Sequence, residues 1–343
     1  MSLEREIQRI VPNEHFILED LQVNGEARPP LAQRDTRRIV LYLKRTTIGP
    51  FVNRQDNEGD TIRARINGID HIRVPARKWK SIEKVRGLQI CREYGVVSPN
   101  YLYNEVNDSD LLANPVSVVF GDSAQASQDS AGIPSLAIYE QGLSVQAVHE
   151  ATERITHNAL SEAGTMMNIG EKKGEFRQSL FDMLYVREGM VFLQSITLEA
   201  PTRESLAFIL MTLDATRYGA GKQVLGNNVR NEVIGLLATR NEPPVTPYTV
   251  LAELGGDRDP KKAVELYLGQ ARAWGGHFVE GDQVEALRTT IRKDSEGRKK
   301  LMENLAEAAK AYHRFVYGAK EKKSGRGHRK EESVEDSEAR GEA

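Results

Sequence analysis

Hydrophobic positions recur along this chain with two different periods, and the switches between them divide it into elements. Residues 37–51 (RRIVLYLKRTTIGPF) alternate, with Ile39, Leu41 and Leu43 on one face of a predicted strand that Gly49-Pro50 ends. A polar stretch from Asn53 to Asp60 follows, then a short strand over 61–66. Asn67-Gly68 is a type I′ hairpin signal, and 69–74 reads as the partner strand. Pro75 suits a first helical turn. Trp79, Ile82, Val85 and Leu88 then mark the apolar face of a helix that runs to Tyr94 and stops at Gly95.

Residues 96–188 lose this regularity, being rich in Gly, Ser and Asn with strand-like pieces at 116–120, 135–139 and 145–156. Ninety such residues inside a compact core would be anomalous, so this region is expected to be an insertion domain or a set of long functional loops. Regularity returns with a strand at 190–199. Pro201-Thr202 then opens a helix whose core face is Leu206, Ile209, Leu210 and Leu213. A glycine-bearing loop over 217–228 leads to a strand at 229–238. With one strand from the middle region, the two strand–helix units complete an α+β, RRM-like (ferredoxin-like) core. Helical periodicity covers 246–254, 259–273, 281–292 and 295–317. The expected organisation is a core over 1–95 and 189–255 carrying a lid or thumb hairpin at about 49–74, an insertion domain at 96–188, a helical region at 256–317 and a tail at 318–343.

Charge changes this picture more than composition does. At 39% hydrophobic and 28% charged residues the chain is ordinary for a globular protein. It has no apolar run of membrane-spanning length and no apolar block at its start, so a cytoplasmic protein is expected. Cys91, the single cysteine, excludes an internal disulfide or an all-cysteine zinc site. The formal net charge of −2 hides a sharp asymmetry. Residues 63–92 hold nine basic and two acidic residues, whereas 93–153 hold nine acidic residues and no Lys or Arg. The tail splits likewise: six basic and one acidic residue at 320–330, then one basic and six acidic at 331–343. With no hydrophobic stretch to fold it, the tail is expected to be disordered.

No phosphate loop, nucleophile elbow or paired metal-binding histidine motif appears: Gly219-Ala220-Gly221-Lys222 has the wrong spacing and follows a helix. His149 and His157, with Cys91, could contribute to a zinc site, although satisfied or exposed histidines fit the spacing better. Asp56 and Asp60 could support metal-dependent phosphodiester chemistry, although aspartates in such loops more often shape a turn. Three features fit nucleic acid. Arg77, Lys78, Lys80, Lys84 and one side of Arg86 flank the helix stripe, where they could track a phosphate backbone. Arg217-Tyr218-Gly219-Ala220-Gly221-Lys222 combines close backbone approach, two cations and a ring. Met166 and Met167 in Gly164-Thr165-Met166-Met167-Asn168 could wedge between bases, or pack half-buried. The split topology would place the first two features in one groove.

Several segments in order resemble the backbone subunit of type I-D CRISPR effector complexes, a branch of Cas family seven. They are residues 87–98 (GLQICREYGVVS), 119–122 (VFGD), 153–159 (ERITHNA) with 164–166 (GTM), and above all 216–220 (TRYGA) with 228–235 (NVRNEVIG). The resemblance covers about residues 37–255. It implies a non-catalytic protein that coats single-stranded CRISPR guide RNA, repeats along it and contacts other effector subunits. Target DNA is then met only through the guide. It implies RNA contacts at Arg77, Lys78, Lys80, Lys84, Arg217, Tyr218, Lys222 and Arg230, and at Phe51, Met166 and Met167, with the 49–67 hairpin as a base-displacing thumb. Some relatives cut bound strands with a loop aspartate, which makes a metal-dependent nuclease the alternative. Many carry a Cys-x-x-Cys, suggesting structural zinc, where this chain has Asn114-Pro115-Val116-Ser117. No cofactor is certain; a retained Zn²⁺ would need other ligands.

Overall fold

The computed structural model describes residues 2–53, 60–125, 130–157, 181–218 and 228–324. Helix α1 (Leu3–Ile10) and a small hairpin, β1 (Leu21–Val23) with β2 (Glu26–Arg28), precede the strand on which the rest is built, β3 (Arg38–Thr47). The sequence shows one apolar face of β3, but both are covered. Ile39, Leu41 and Leu43 join the main core, while Val40 and Tyr42 join a second apolar cluster on the opposite side. A strand sandwiched this way reads as a nearly continuous hydrophobic run.

The predicted hairpin is β4 (Arg63–Ile66) and β5 (Ile69–Val74), with Asn67 and Gly68 at φ 50° and 82° as a type I′ turn requires. Helix α2 (Ala76–Glu93) follows. The middle region contains α3 (Pro115–Phe120), β6 (Asp122–Gln125), β7 (Ser130–Ile133), β8 (Ala137–Tyr139), β9 (Gly142–Ala147), α4 (Val148–Ala151), β10 (Thr152–His157) and β11 (Phe181–Val186). Then come β12 (Val191–Glu199), α5 (Arg203–Ala215), β13 (Val229–Thr239), α6 (Pro247–Leu254), α7 (Pro260–Trp274), β14 (His277–Glu280), α8 (Gly281–Lys293) and α9 (Ser295–Ser324). The main sheet runs β14-β13-β3-β12-β9-β5-β4, antiparallel at every step, with β8 also on β12. Helices α2 and α5 pack together on the main-core side. They meet so closely at Gly87 that a Cβ there would lie 2.9 Å from the Phe120 ring and 3.1 Å from Phe208. On the other side α7 brings Tyr267 edge-on to Tyr42, with ring centroids 4.9 Å apart. Among the described residues no helix is long and apolar enough to cross a membrane.

Three local expectations are corrected. The strand-like 116–120 is helix α3, because Asn114 caps it through Ser117 N and Pro115 occupies its first turn. Segment 145–156 splits into β9, α4 and β10. On α2, Ile82 and Val85 are exposed, while Glu83 and Lys84 are buried beside Trp79 and Leu88. Periodicity counts apolar residues only, so it misplaces a helix whose inner face carries two charges.

Both of those charges have partners. Glu83 and Arg45 are wholly buried and meet at 2.7 Å, tying α2 to the middle of the sheet. Arg45 also donates to Gln194 Oε1 (2.6 Å), Asn231 Oδ1 (2.8 Å) and the Tyr218 hydroxyl (2.8 Å), and its guanidinium lies 4.5 Å from the Trp79 ring centre. Glu83 accepts from the Tyr139 and Tyr218 hydroxyls. Burial works against the Arg45 charge, but Glu83 outweighs it and holds the guanidinium protonated. Lys84 pairs with Asp122 at 3.1 Å and donates to the Gly121 carbonyl, while Lys80 donates to Ser135 Oγ at 2.8 Å. These two lysines pin α2 to the 114–135 segment.

Replacing Glu83 with Leu alone strands the Arg45 charge and is expected to cost about 3–5 kcal/mol in urea unfolding; Arg45→Met with Glu83→Leu should recover most of it. A double variant as unstable as the single one would contradict this account. Burial, and then Lys84, lower the Lys80 amine from 10.5 to about 8. Between those values the unfolded chain binds more protons than the folded one, so stability contributed by this group rises with pH. Lys80→Met should remove that slope from the difference between stabilities measured at pH 7.5 and pH 10.

Candidate nucleic-acid interface

Where β3 ends, β12 and β13 begin, α2 starts and α5 finishes, so four connections converge at one end of the sheet. They are held together by polar contacts and by rings. Ile48 N donates to the Asn228 carbonyl, Asn228 Nδ2 to the Pro50 carbonyl and Asn228 N to the Tyr218 carbonyl. Thr47 Oγ1 donates to the Arg187 carbonyl. Phe51 lies flat on Trp79 at 5.5 Å, and Trp79 meets Tyr218 edge-on at 5.3 Å. Trp79 leaves room for glycine alone at position 142, where a Cβ would sit 2.6 Å from its Nε1.

On this frame four of the cations singled out from sequence come to one end. Arg77 and Arg217 are exposed, and Arg230, 61% exposed, lies 3.7 Å from Glu232. Lys78, half-buried, donates to Asn53 Oδ1 at 3.2 Å. Burial and then Arg77 hold its amine below the usual lysine range. Arg187, just before β12, adds a cation that sequence reasoning missed: its side chain is half exposed and 3.9 Å from Glu153. It falls in the irregular stretch just before the strand at 190–199 and belongs to no motif, so no signal marked it. Guanidinium groups spread over convergent loops contact phosphates without reading bases.

Other assignments are corrected. Tyr218 is wholly buried between Arg45, Glu83 and Trp79, so its ring has no face for a base. Burial, and Glu83 against the opposing pull of Arg45, raise the Tyr218 hydroxyl well above the usual phenol range, leaving it a neutral donor. Phe51 is 5% exposed, its backbone bridging Val186, and serves as core rather than as part of a thumb. Lys84 and Lys80 are committed to Asp122 and Ser135. Met166, Met167, Lys222 and Asp56 lie outside the described residues.

Among the described residues the donors do not fit zinc. Asn114 and Ser117, which stand at the expected ligand positions, bond to each other, and Ser117 Oγ donates to Asp122, whose carboxylate already holds the Lys84 ammonium. Amide and hydroxyl oxygens beside an ammonium are poor company for a soft, nitrogen- and sulfur-preferring cation. Cys91 is buried with its thiol pushed up, His149 is exposed, and the His157 side chain lies outside the described residues. No three His, Cys, Asp or Glu side chains converge among the described residues. Asp60 accepts from Thr61 N and from Arg63.

Residues 55–251, more than half of the chain, match the family model described as Csc2 Crispr. Among solved structures, the crystal structure of Thermofilum pendens Csc2 is similar, with TM-score 0.56 and 17% identity over 87% of this chain and 92% of that one. Chains of a CRISPR RNA-guided surveillance complex, and of one described as pre-nicking, give TM-scores of 0.45 and 0.46. Each is 11% identical over 70% of this chain, and 86% and 90% of theirs. No curated protein matches. The Thermofilum likeness carries the fold, the family model carries the membership, and the chain belongs to the Csc2 family of CRISPR proteins.

Proposed function

We propose that this chain is the repeated backbone subunit of a type I-D antiviral effector, a Cas family seven protein that coats CRISPR guide RNA in the cytoplasm and catalyses nothing. The observation that carries the reading is the convergence of Arg77, Lys78, Arg217 and Arg230 at one sheet end in a member of a CRISPR family. The strand order β13-β3-β12-β9, crossed on one face by α2 and α5, supports an RRM-like core. Residues 96–188, apart from β8 and β9 that join the main sheet, would be its insertion, β4–β5 the base of its thumb, and 256–317 a helical flank. Phosphates would lie on the arginines while bases point outward, so the guide supplies sequence specificity. Copies of the chain, other effector subunits and target DNA paired to the guide are the partners this implies.

In titrations with a single-stranded RNA, changing Arg77, Arg217 and Arg230 together to Ala should weaken binding and flatten the salt dependence by about 2 log units per log unit, ~0.7 for each lost phosphate contact. An unchanged slope removes the assignment. RNA and DNA incubated with Mg²⁺ or Mn²⁺ should stay intact. Cleavage abolished by Asp56→Ala or Asp60→Ala would instead support the nuclease alternative.

A further inference from the structure

Beyond the sheet end, a groove runs down the outer side of α2. Its upper part, about 490 Å³, lies between α2 and residues 215–217; its lower part, about 300 Å³, continues between α2, the end of α5, α8 and the start of α9. Arg86 and Arg217 border both parts. The groove follows α2 from Ser81 to Tyr94, so at 1.5 Å per residue it is roughly 20 Å long, the length of a three- to four-turn helix.

Its surface combines two chemistries. Ile82 and Val85, one helical turn apart, are 37% and 38% exposed in the upper part. Around the whole groove stand Arg86, Arg217 and Arg298. Arg86 donates to Gln89, Arg217 to the Asp214 and Thr216 carbonyls, and Arg298 to the Arg292 carbonyl. Among the described residues none of the three pairs with a carboxylate. The two acidic residues of the lining do not change this: Asp214 is held by Arg288 and Arg292, and Glu93 sits at the far end.

We infer that this groove docks an acidic amphipathic helix of another protein, its leucine or isoleucine side chains on Ile82 and Val85 and its carboxylates on Arg86 and Arg298. The inference rests on the function proposed above only in placing the chain beside other protein subunits. Charge complementarity names the acidic partner, and the aliphatic floor separates it from nucleic acid. A strand track offers rings for bases to stack on, whereas here the upper floor is isoleucine and valine and the one ring of the lining, Tyr94, lies at the far end. A helix laid in a groove is read through apolar anchors three or four residues apart with charges at its edges.

The test uses the complex assembled from this chain, guide RNA and the other effector subunits, with a photoreactive p-benzoylphenylalanine in place of Val85. The expected product is a crosslink to a protein segment in which Asp or Glu flank apolar residues at i, i+3 and i+4. The pair R86E and R298E should weaken retention of that subunit by about 30-fold or more, the range of arginine hot spots. Ile82→Ser with Val85→Ser, which keeps every charge, should weaken the same subunit, control for folding effects of the charge reversal, and leave the chain's affinity for free single-stranded RNA within about twofold of the parent, as for independent sites. A crosslink to RNA, to a basic or wholly polar segment, or no crosslink in the assembled complex overturns the inference. Loss of RNA binding in the parent chain itself would count against the proposed function and leave the groove assignment to the crosslink.

Discussion

The buried pair of Arg45 and Glu83 is the constraint around which the described fold is arranged. A guanidinium on a central strand and a carboxylate on the covering helix are tolerable in a dry interior only if nearly every donor and acceptor is met. Meeting them recruits Gln194 from β12, Asn231 from β13, Tyr139 from β8 and Tyr218 from the segment after α5. Each partner fixes the element that carries it, so one ion pair sets how the sheet, α2 and the end of α5 meet. Trp79 closes the cluster from one side and presses against Gly142, which adds β9 to the same arrangement.

This node also explains why the outer cations stand where they do. Arg77 and Lys78 precede Trp79 by two residues and one, and Arg217 precedes Tyr218 directly. Anchoring the two rings inside therefore holds three cations at the rim. The buried aromatic residues do not touch the solvent face; they position the side chains that do.

Much of the fold was legible in the sequence, and the reasons for the rest are physical. β3, the Asn67-Gly68 hairpin, α5 with its Thr202 cap and the C-terminal helices follow from period, turn chemistry and capping, all of which are local. The inner face of α2 was not legible, because Glu83 and Lys84 are buried only through partners that lie far along the chain. Helix α3 hid behind a β-branched run, overridden by an asparagine cap and a proline. β14 is a four-residue edge strand whose only reason to extend is the neighbouring β13. At the candidate interface, four of the cations singled out from sequence come to one end of the sheet, while the rings beside them point inward. Tyr218 and Phe51 look like stacking residues in a glycine-rich, polar context, but both pack on Trp79, and Glu83 and Arg45 hold the Tyr218 hydroxyl inside.

The spacing of the Arg45 partners has a consequence for how the protein is made. Gln194, Tyr218 and Asn231 follow Arg45 by 149, 173 and 186 residues. At a translation rate of about 5–20 residues per second, a nascent chain carries that arginine without its last partner for roughly 10–40 s. For most of that interval β3 lacks both flanking strands, β12 and β13, and exposes two apolar faces. A wholly buried charge of the finished protein thus waits on the ribosome for partners made much later, and that delay is when chaperones have most to shield.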